Sequence, residues 1–91
     1  MIEYYYYKIY NPNNPDIVYI GLTNNFSKRK SSHKKSVSNK VSKKYNYPLY
    51  KYIRSLGGWD TFNMELIEKK EFNTKGEGLQ YETELIKMYN A

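Results

Sequence analysis

The stretch Val18-Tyr19-Ile20-Gly21-Leu22-Thr23-Asn24-Asn25-Phe26-Ser27-Lys28-Arg29-Lys30-Ser31-Ser32-His33 decides the reading of this chain. It opens as a short buried strand of β-branched and aromatic residues, turns at a glycine and continues as a basic helix. In a helix, Arg29 and His33 stand at i and i+4, one above the other on one face. Asn24 or Asn25 is placed to cap that helix, which should run from about Phe26 to beyond Lys35. Upstream, Tyr5-Tyr6-Tyr7-Lys8-Ile9-Tyr10 is a second β-rich run; the two strands are expected over about Tyr4 to Tyr10 and Ile17 to Leu22. Between them, Asn11-Pro12-Asn13-Asn14-Pro15-Asp16 consists almost wholly of turn formers, so the runs make a hairpin. With its centre near Asn13, Tyr7 is expected opposite Tyr19 to within one residue of register.

Further along, Ser36 to Asn46 is polar and serine-rich and reads as a frayed helix end and a loop. A second helix follows, with Leu49, Tyr52, Ile53 and Leu56 at i, i+3, i+4 and i+7 and Gly57-Gly58 as its stop. A third strand is expected around Phe62, Met64 and Leu66, and a last helix over about Glu77 to Tyr89. On that helix Leu79, Glu82, Ile86 and Tyr89 form one stripe and Tyr81, Leu85 and Met88 an adjacent one. Glu82 therefore falls inside an apolar face, a costly place for a carboxylate unless a metal ion or a buried arginine pairs with it. The order β-β-α-α-β-α implies an α+β fold: a small three-stranded antiparallel sheet, made of the N-terminal hairpin plus one strand, flanked by about three helices.

Composition sets outer limits. Ninety-one residues make a single domain, residues 1–91, with one modest core. There is no cysteine, hence no disulfide framework and no thiolate metal site, and a reducing intracellular compartment, cytoplasmic or nuclear, is expected. No apolar run approaches the roughly 20 residues of a membrane span, and Met1-Ile2-Glu3 followed by tyrosines lacks the order of a signal peptide. A net charge of +6 points to a polyanionic partner, DNA or RNA first. Arg29 and Arg54 are the only arginines, and Lys28, Lys30, Lys34, Lys35, Lys43 and Lys44 crowd the first helix and the loop after it.

The order Tyr7, Tyr19-Ile20-Gly21, Arg29, His33 and later Glu82 resembles the GIY-YIG nuclease domain. The YIG element is intact at 19–21, and Arg29 and His33 follow at the family's spacing. The GIY element keeps only its tyrosine, which the continuation Lys8-Ile9-Tyr10-Asn11 assigns to Tyr7 rather than Tyr6. The family's metal-holding glutamate, followed four residues later by an apolar residue, corresponds to Glu82 with Ile86. Its asparagine beyond the last helix has no firm counterpart, Asn90 standing too close to that helix.

The resemblance implies a metal-dependent DNA endonuclease that hydrolyses phosphodiesters. Glu82 would hold magnesium, or manganese, as suits oxygen ligands and phosphate. Arg29 would neutralise charge building on the phosphoryl group. Tyr7 would activate water, which requires its pKa to fall from about 10 toward neutrality. Tyr19 would orient the water or the phosphate, and His33 would relay the proton. The six lysines would bind the nucleic acid.

No small-molecule cofactor is implied, and a homing, restriction or repair role stays open. So do a structure-selective nuclease and a catalytically weak nucleic-acid-binding module. Target choice in such nucleases usually resides elsewhere, in a separate specificity domain or a partner protein. A chain without an extra dimerisation segment is expected to be monomeric. Taken singly, each residue has an ordinary explanation: tyrosines pack in strands, His33 is solvated beside lysines, and Glu82 pairs with Arg29 or Arg54. Their joint order and spacing carry the resemblance.

Overall fold

The tyrosine run forms the middle of a sheet because tyrosine can bury its ring on either face and still reach a polar partner with its hydroxyl. The computed structural model describes residues 1–89, with residues 14–18 described by their backbone alone. The elements are β1 (Ile2–Asn11), β2 (Asn14–Thr23), α1 (Phe26–Ser38), α2 (Pro48–Ser55), one 3-10 turn at Trp59–Thr61, β3 (Asn63–Phe72) and α3 (Lys75–Tyr89). The three strands are antiparallel in the order β2-β1-β3, so the fold is the expected α+β arrangement.

The central strand β1 is covered on both sides. Tyr7 and Ile9 face Val37 of α1, Tyr50 and Ile53 of α2, and Trp59, Phe62 and Met64. Tyr4 and Tyr6, half a pleat away, face Ile20 and Leu85, with Tyr81 and Ile86 of α3 packed around them. Tyr6 is anchored there by a 2.8 Å hydrogen bond from its hydroxyl to the Gly78 carbonyl. The helices start and stop for local reasons. The Asn25 side chain caps α1 by accepting from the Lys28 N–H at 3.1 Å. Pro48 opens α2, and Gly57 and Gly58, with φ of 119° and 99°, close it in a conformation that side chains resist.

The structure corrects the expected hairpin register. Tyr7 pairs with Gly21, and Tyr19 pairs with Ile9. Irregularities at Ile9/Tyr10 and Tyr10/Asn11 place extra β2 residues on the turn side. The slip is two residues, which preserves the pleat, so Tyr7 and Tyr19 still share a face as diagonal neighbours.

The buried face of α2 is rotated from its expected position, and that of α3 is narrower than expected. In α2 the buried residues are Tyr50 and Ile53, while Tyr52 and Leu56 are exposed. In α3 the packed face is Gly78, Tyr81, Leu85 and Ile86, and Leu79, Met88 and Tyr89 are exposed. Glu82 sits half-buried on this face, between Gly78 and Ile86, as the periodicity implies. In β3, Leu66 is exposed, although it pairs with Tyr7; the register shift between Tyr6 and Tyr7 leaves Ile67 as the extra residue. Among the described residues no helix is long and apolar enough to cross a membrane.

Helix α3 approaches the sheet through Gly78, where an added Cβ would lie 2.5 Å from Tyr4 Cε2. Gly78→Val should therefore destabilise the fold by about 1–3 kcal/mol, each 1 kcal/mol appearing as about 4–8 °C in Tm. Gly76→Ala, whose nearest neighbour would be Thr74 Oγ1 at 3.9 Å, is the control and should melt no lower than the wild type. A Gly78→Val melt matching this control would disprove the close approach.

Candidate active site

The site is assembled at the corner where β2 passes into α1. Gly21 lies beside Tyr7 in the ladder, and a Cβ there would meet Tyr7 Oη at 2.5 Å and Tyr19 Cε2 at 2.8 Å. Gly21 is thus required for space; the glycines with positive φ are Gly57 and Gly58. The room it leaves lets the Tyr7 ring reach α1, where its hydroxyl hydrogen-bonds His33 Nε2 at 2.8 Å. The capped start of α1 sets the phase that brings His33 inward. His33 is only 3% exposed, not the solvated residue that its lysine neighbours suggest.

Aromatic rings fix the imidazole. The Trp59 ring stacks on it at 6.1 Å between centroids and 18° between planes. Tyr7 and Tyr19 meet it edge-on at 5.7 and 5.9 Å. Its second nitrogen, Nδ1, is 2.8 Å from the Tyr50 hydroxyl. Tyr50 and Trp59 were not among the residues expected from the sequence. In Tyr50 the available signal was the i, i+3 relation to Ile53, masked by the competing stripe through Tyr52; nothing in the sequence marks Trp59 as a stacking partner.

Burial dominates the electrostatics of this corner. It raises the Tyr7 phenol well above its usual value, with the neighbouring Tyr19 adding to the effect and Arg29 partly opposing it. The expected fall of the Tyr7 pKa toward neutrality is therefore not found in the protein by itself. Burial lowers His33 to about 4, and the positive charges of Arg29 and Lys44 push in the same direction. Tyr7 and His33 are thus a neutral phenol and a neutral imidazole at ordinary pH.

Glu82 approaches from α3, on the other side of the sheet. Burial raises its pKa, while the Leu22 backbone N–H and the charge of Arg29 hold the ionised form. β2 is an outer strand of the sheet, and both of these influences come from its side: Leu22 lies on β2 and Arg29 on the helix that follows it. Arg29 acts electrostatically on Tyr7, His33, Tyr50 and Glu82 together. It is half-buried and forms no ion pair within 4.0 Å among the described residues, which leaves its guanidinium available to an anion.

A pocket of about 320 Å³ beside it is lined by Thr23, Asn24, Asn25, Lys28, Arg29, Ser32 and Lys44. Of the six candidate lysines, Lys28 and Lys44 thus reach this pocket, while Lys30, Lys34, Lys35 and Lys43 are exposed around α1 and the following loop. Arg54 is elsewhere. It donates to the carbonyls of Val37 at 3.0 Å and Tyr45 at 2.6 Å and lies 3.6 Å over the Tyr45 ring, pinning the loop that carries Lys44. Asn90 lies outside the described residues.

The family profile of the GIY-YIG catalytic domain matches residues 3–91. The chain belongs to this family, a family of nucleases. No curated protein and no solved structure gives a significant match.

The neutral imidazole has a consequence for stability. An unfolded chain takes up the His33 proton below pH 6.5, whereas the folded one resists it until about 4. Acidification through that window therefore favours unfolding, by roughly 3 kcal/mol at most at 1.36 kcal/mol per pKa unit. Glu82, with its pKa raised, acts in the opposite sense, so the wild type must be compared with His33→Gln. Urea midpoints measured between pH 7 and 4 should fall more steeply in the wild type than in His33→Gln. Parallel curves would refute a buried neutral His33.

Proposed function

We propose that the chain is a metal-dependent DNA endonuclease whose active site comprises Tyr7, Tyr19, Arg29, His33 and Glu82. The observation that carries this reading is the buried Tyr7–His33 hydrogen bond beside Arg29, which lines a cationic pocket and has no ion pair within 4.0 Å among the described residues. A neutral phenol bonded to a free imidazole nitrogen forms a two-step proton path. As water loses a proton to the Tyr7 oxygen, the Tyr7 proton passes to His33 Nε2, so no standing phenolate is needed. A bound phosphate favours that transfer, because its negative charge offsets the Arg29 and Lys44 charges that oppose an imidazolium.

Arg29 presents a planar fork to the phosphoryl oxygens and stabilises the charge that grows there, a role for which lysine is a poor substitute. Tyr19, edge-on to His33 and beside Tyr7, orients the water or the phosphate.

The carboxylate available to a divalent ion is that of Glu82. Among the described residues no group of three or more acidic, histidine or cysteine side chains is positioned to hold a metal. One half-buried carboxylate fits magnesium or manganese, which are commonly held by one or two carboxylates together with water and substrate phosphate. When bound, such an ion supplies Lewis-acid polarisation of the scissile phosphate and stabilises the leaving oxygen. The exposed lysines 28, 30, 34, 35, 43 and 44 contact the flanking backbone.

Mutations separate these roles. Glu82→Gln should abolish cleavage of supercoiled plasmid with magnesium while leaving DNA binding nearly intact; wild-type cutting would refute the metal assignment. Arg29→Ala, and in large part Arg29→Lys, should slow cleavage about 100- to 1000-fold. Lys34→Ala or Lys43→Ala should instead weaken binding and reduce its salt slope by about one phosphate contact each. Equal small effects at all three positions would make the motif part of a generic basic face.

A single active site cuts one strand at a time, so a monomer should convert supercoiled plasmid first to the nicked circle, at a rate proportional to enzyme. Linear product without a nicked intermediate, rising with the square of enzyme concentration, would show a dimer that cuts both strands together.

A further inference from the structure

The pocket beside Arg29 is built almost entirely from one continuous stretch. Residues 23–32, the end of β2 and the first turns of α1, supply all of its lining except Lys44. Lys44 arrives from residues 39–47, a segment without helix or strand. A lysine on an untethered loop is not confined to one place, so the position of Lys44 depends on what holds this loop.

The loop's own hydrogen bonds do not hold it. The Ser42 N–H donates to the Asn39 carbonyl at 3.0 Å, the Tyr45 N–H to that of Ser42 at 3.1 Å and the Tyr47 N–H to that of Lys44 at 2.9 Å. Each reaches only a near neighbour in sequence and shapes a turn without tying it to the body. Among the described residues, the hydrogen bond that ties residues 40–46 to another element is donated by Arg54 of α2.

The fork of Arg54 spans two acceptors. Nη1–H donates to the Val37 carbonyl at 3.0 Å and Nη2–H to the Tyr45 carbonyl at 2.6 Å, while Cζ lies 3.6 Å from the centroid of the Tyr45 ring. The Val37 carbonyl belongs to the last turn of α1, which leaves its carbonyls without helical partners and where a cation also faces the negative end of the helix. Tyr45 adjoins Lys44 in sequence, so its carbonyl and ring are grips placed directly beside that lysine. A planar guanidinium makes both bonds and the stack at once. An ammonium, a point charge on a flexible stem, cannot.

We propose that Arg54 is a positioning residue: it fastens the 39–47 loop to the end of α1 and thereby holds Lys44 with Lys28 and Arg29 around the anion pocket. The proposal rests on the nuclease reading only for the phosphate that the pocket receives; the fastening of Lys44 is a property of the chain itself. With both terminal nitrogens engaged, Arg54 acts on the pocket through the loop.

The test begins on the protein alone. In the wild type, ¹⁵N order parameters at the Ser42, Lys44 and Tyr45 amides should lie near about 0.85, the value of rigid backbone, and in Arg54→Lys they should fall below about 0.6. Equal order in both proteins overturns the proposal, whether or not the chain binds DNA.

The second arm is affinity for a short DNA duplex without metal, measured against salt concentration. Lys44→Ala should reduce the slope of log affinity on log salt by about 0.9, one phosphate contact. Arg54→Lys keeps the charge yet should reduce the slope equally, and the double variant should bind no more weakly than Lys44→Ala alone. Additive losses overturn the proposal. So does wild-type affinity in Arg54→Lys, because Arg54 would then act by its charge alone. If Arg54→Lys fails to fold, Tyr45→Ala, which removes the ring under the guanidinium, replaces it in both arms. A wild type without affinity for DNA refutes the nuclease reading instead, and the order parameters then decide the role of Arg54.

Discussion

The Tyr7 hydroxyl meets His33 Nε2 at 2.8 Å in a corner with no room for a side chain at Gly21. A strand ring and a helix ring can approach that closely only if the strand between them is bare at that position and the helix begins in the correct phase. The first condition is met by Gly21. The second is met by Asn25, whose side chain holds the Lys28 N–H and so fixes where the first turn begins. Trp59, arriving just after the glycine-terminated α2, closes the remaining side of the ring. The glycine of the YIG triplet is therefore a packing requirement of the site.

The same enclosure sets the charge state. Removal from water raises Tyr7 and lowers His33, and both shifts favour the neutral forms. A resting phenolate would need enough positive charge to overcome burial, and Arg29 alone does not provide it. A path that moves one proton onto Tyr7 as another leaves for His33 avoids the charged phenolate altogether. The neutral state is thus the starting point such a relay requires.

Much of this was legible in the sequence. The element order, the Arg29/His33 spacing, the Asn25 cap and the stop at Gly57-Gly58 depend on local chemistry, and local chemistry is written residue by residue. The hairpin register was not, because the irregularities near the turn depend on how the chain closes on itself; the two-residue slip left the faces unchanged only because it was even. The rotated face of α2 and the narrower face of α3 have another cause. Tyrosine, leucine and methionine all count as apolar in a periodicity argument, yet Leu79 and Met88 stay exposed while Tyr50 is buried through a hydrogen bond to His33. Helix α2 turns toward the partner of the Tyr50 hydroxyl, which periodicity alone does not register.

Glu82 keeps its place on the packed face of α3. On such a face a carboxylate is driven toward its protonated form unless something pairs with it. Burial raises its pKa, but the Leu22 N–H and Arg29 hold the charged form, and the side chain stays half-buried. Arg29 also acts on Tyr7 and His33 from the opposite face. The corner thus sets a hydrogen-bonded tyrosine–histidine pair on one side of the sheet and a half-buried carboxylate on the other, both within the field of a single guanidinium beside the sheet's outer strand.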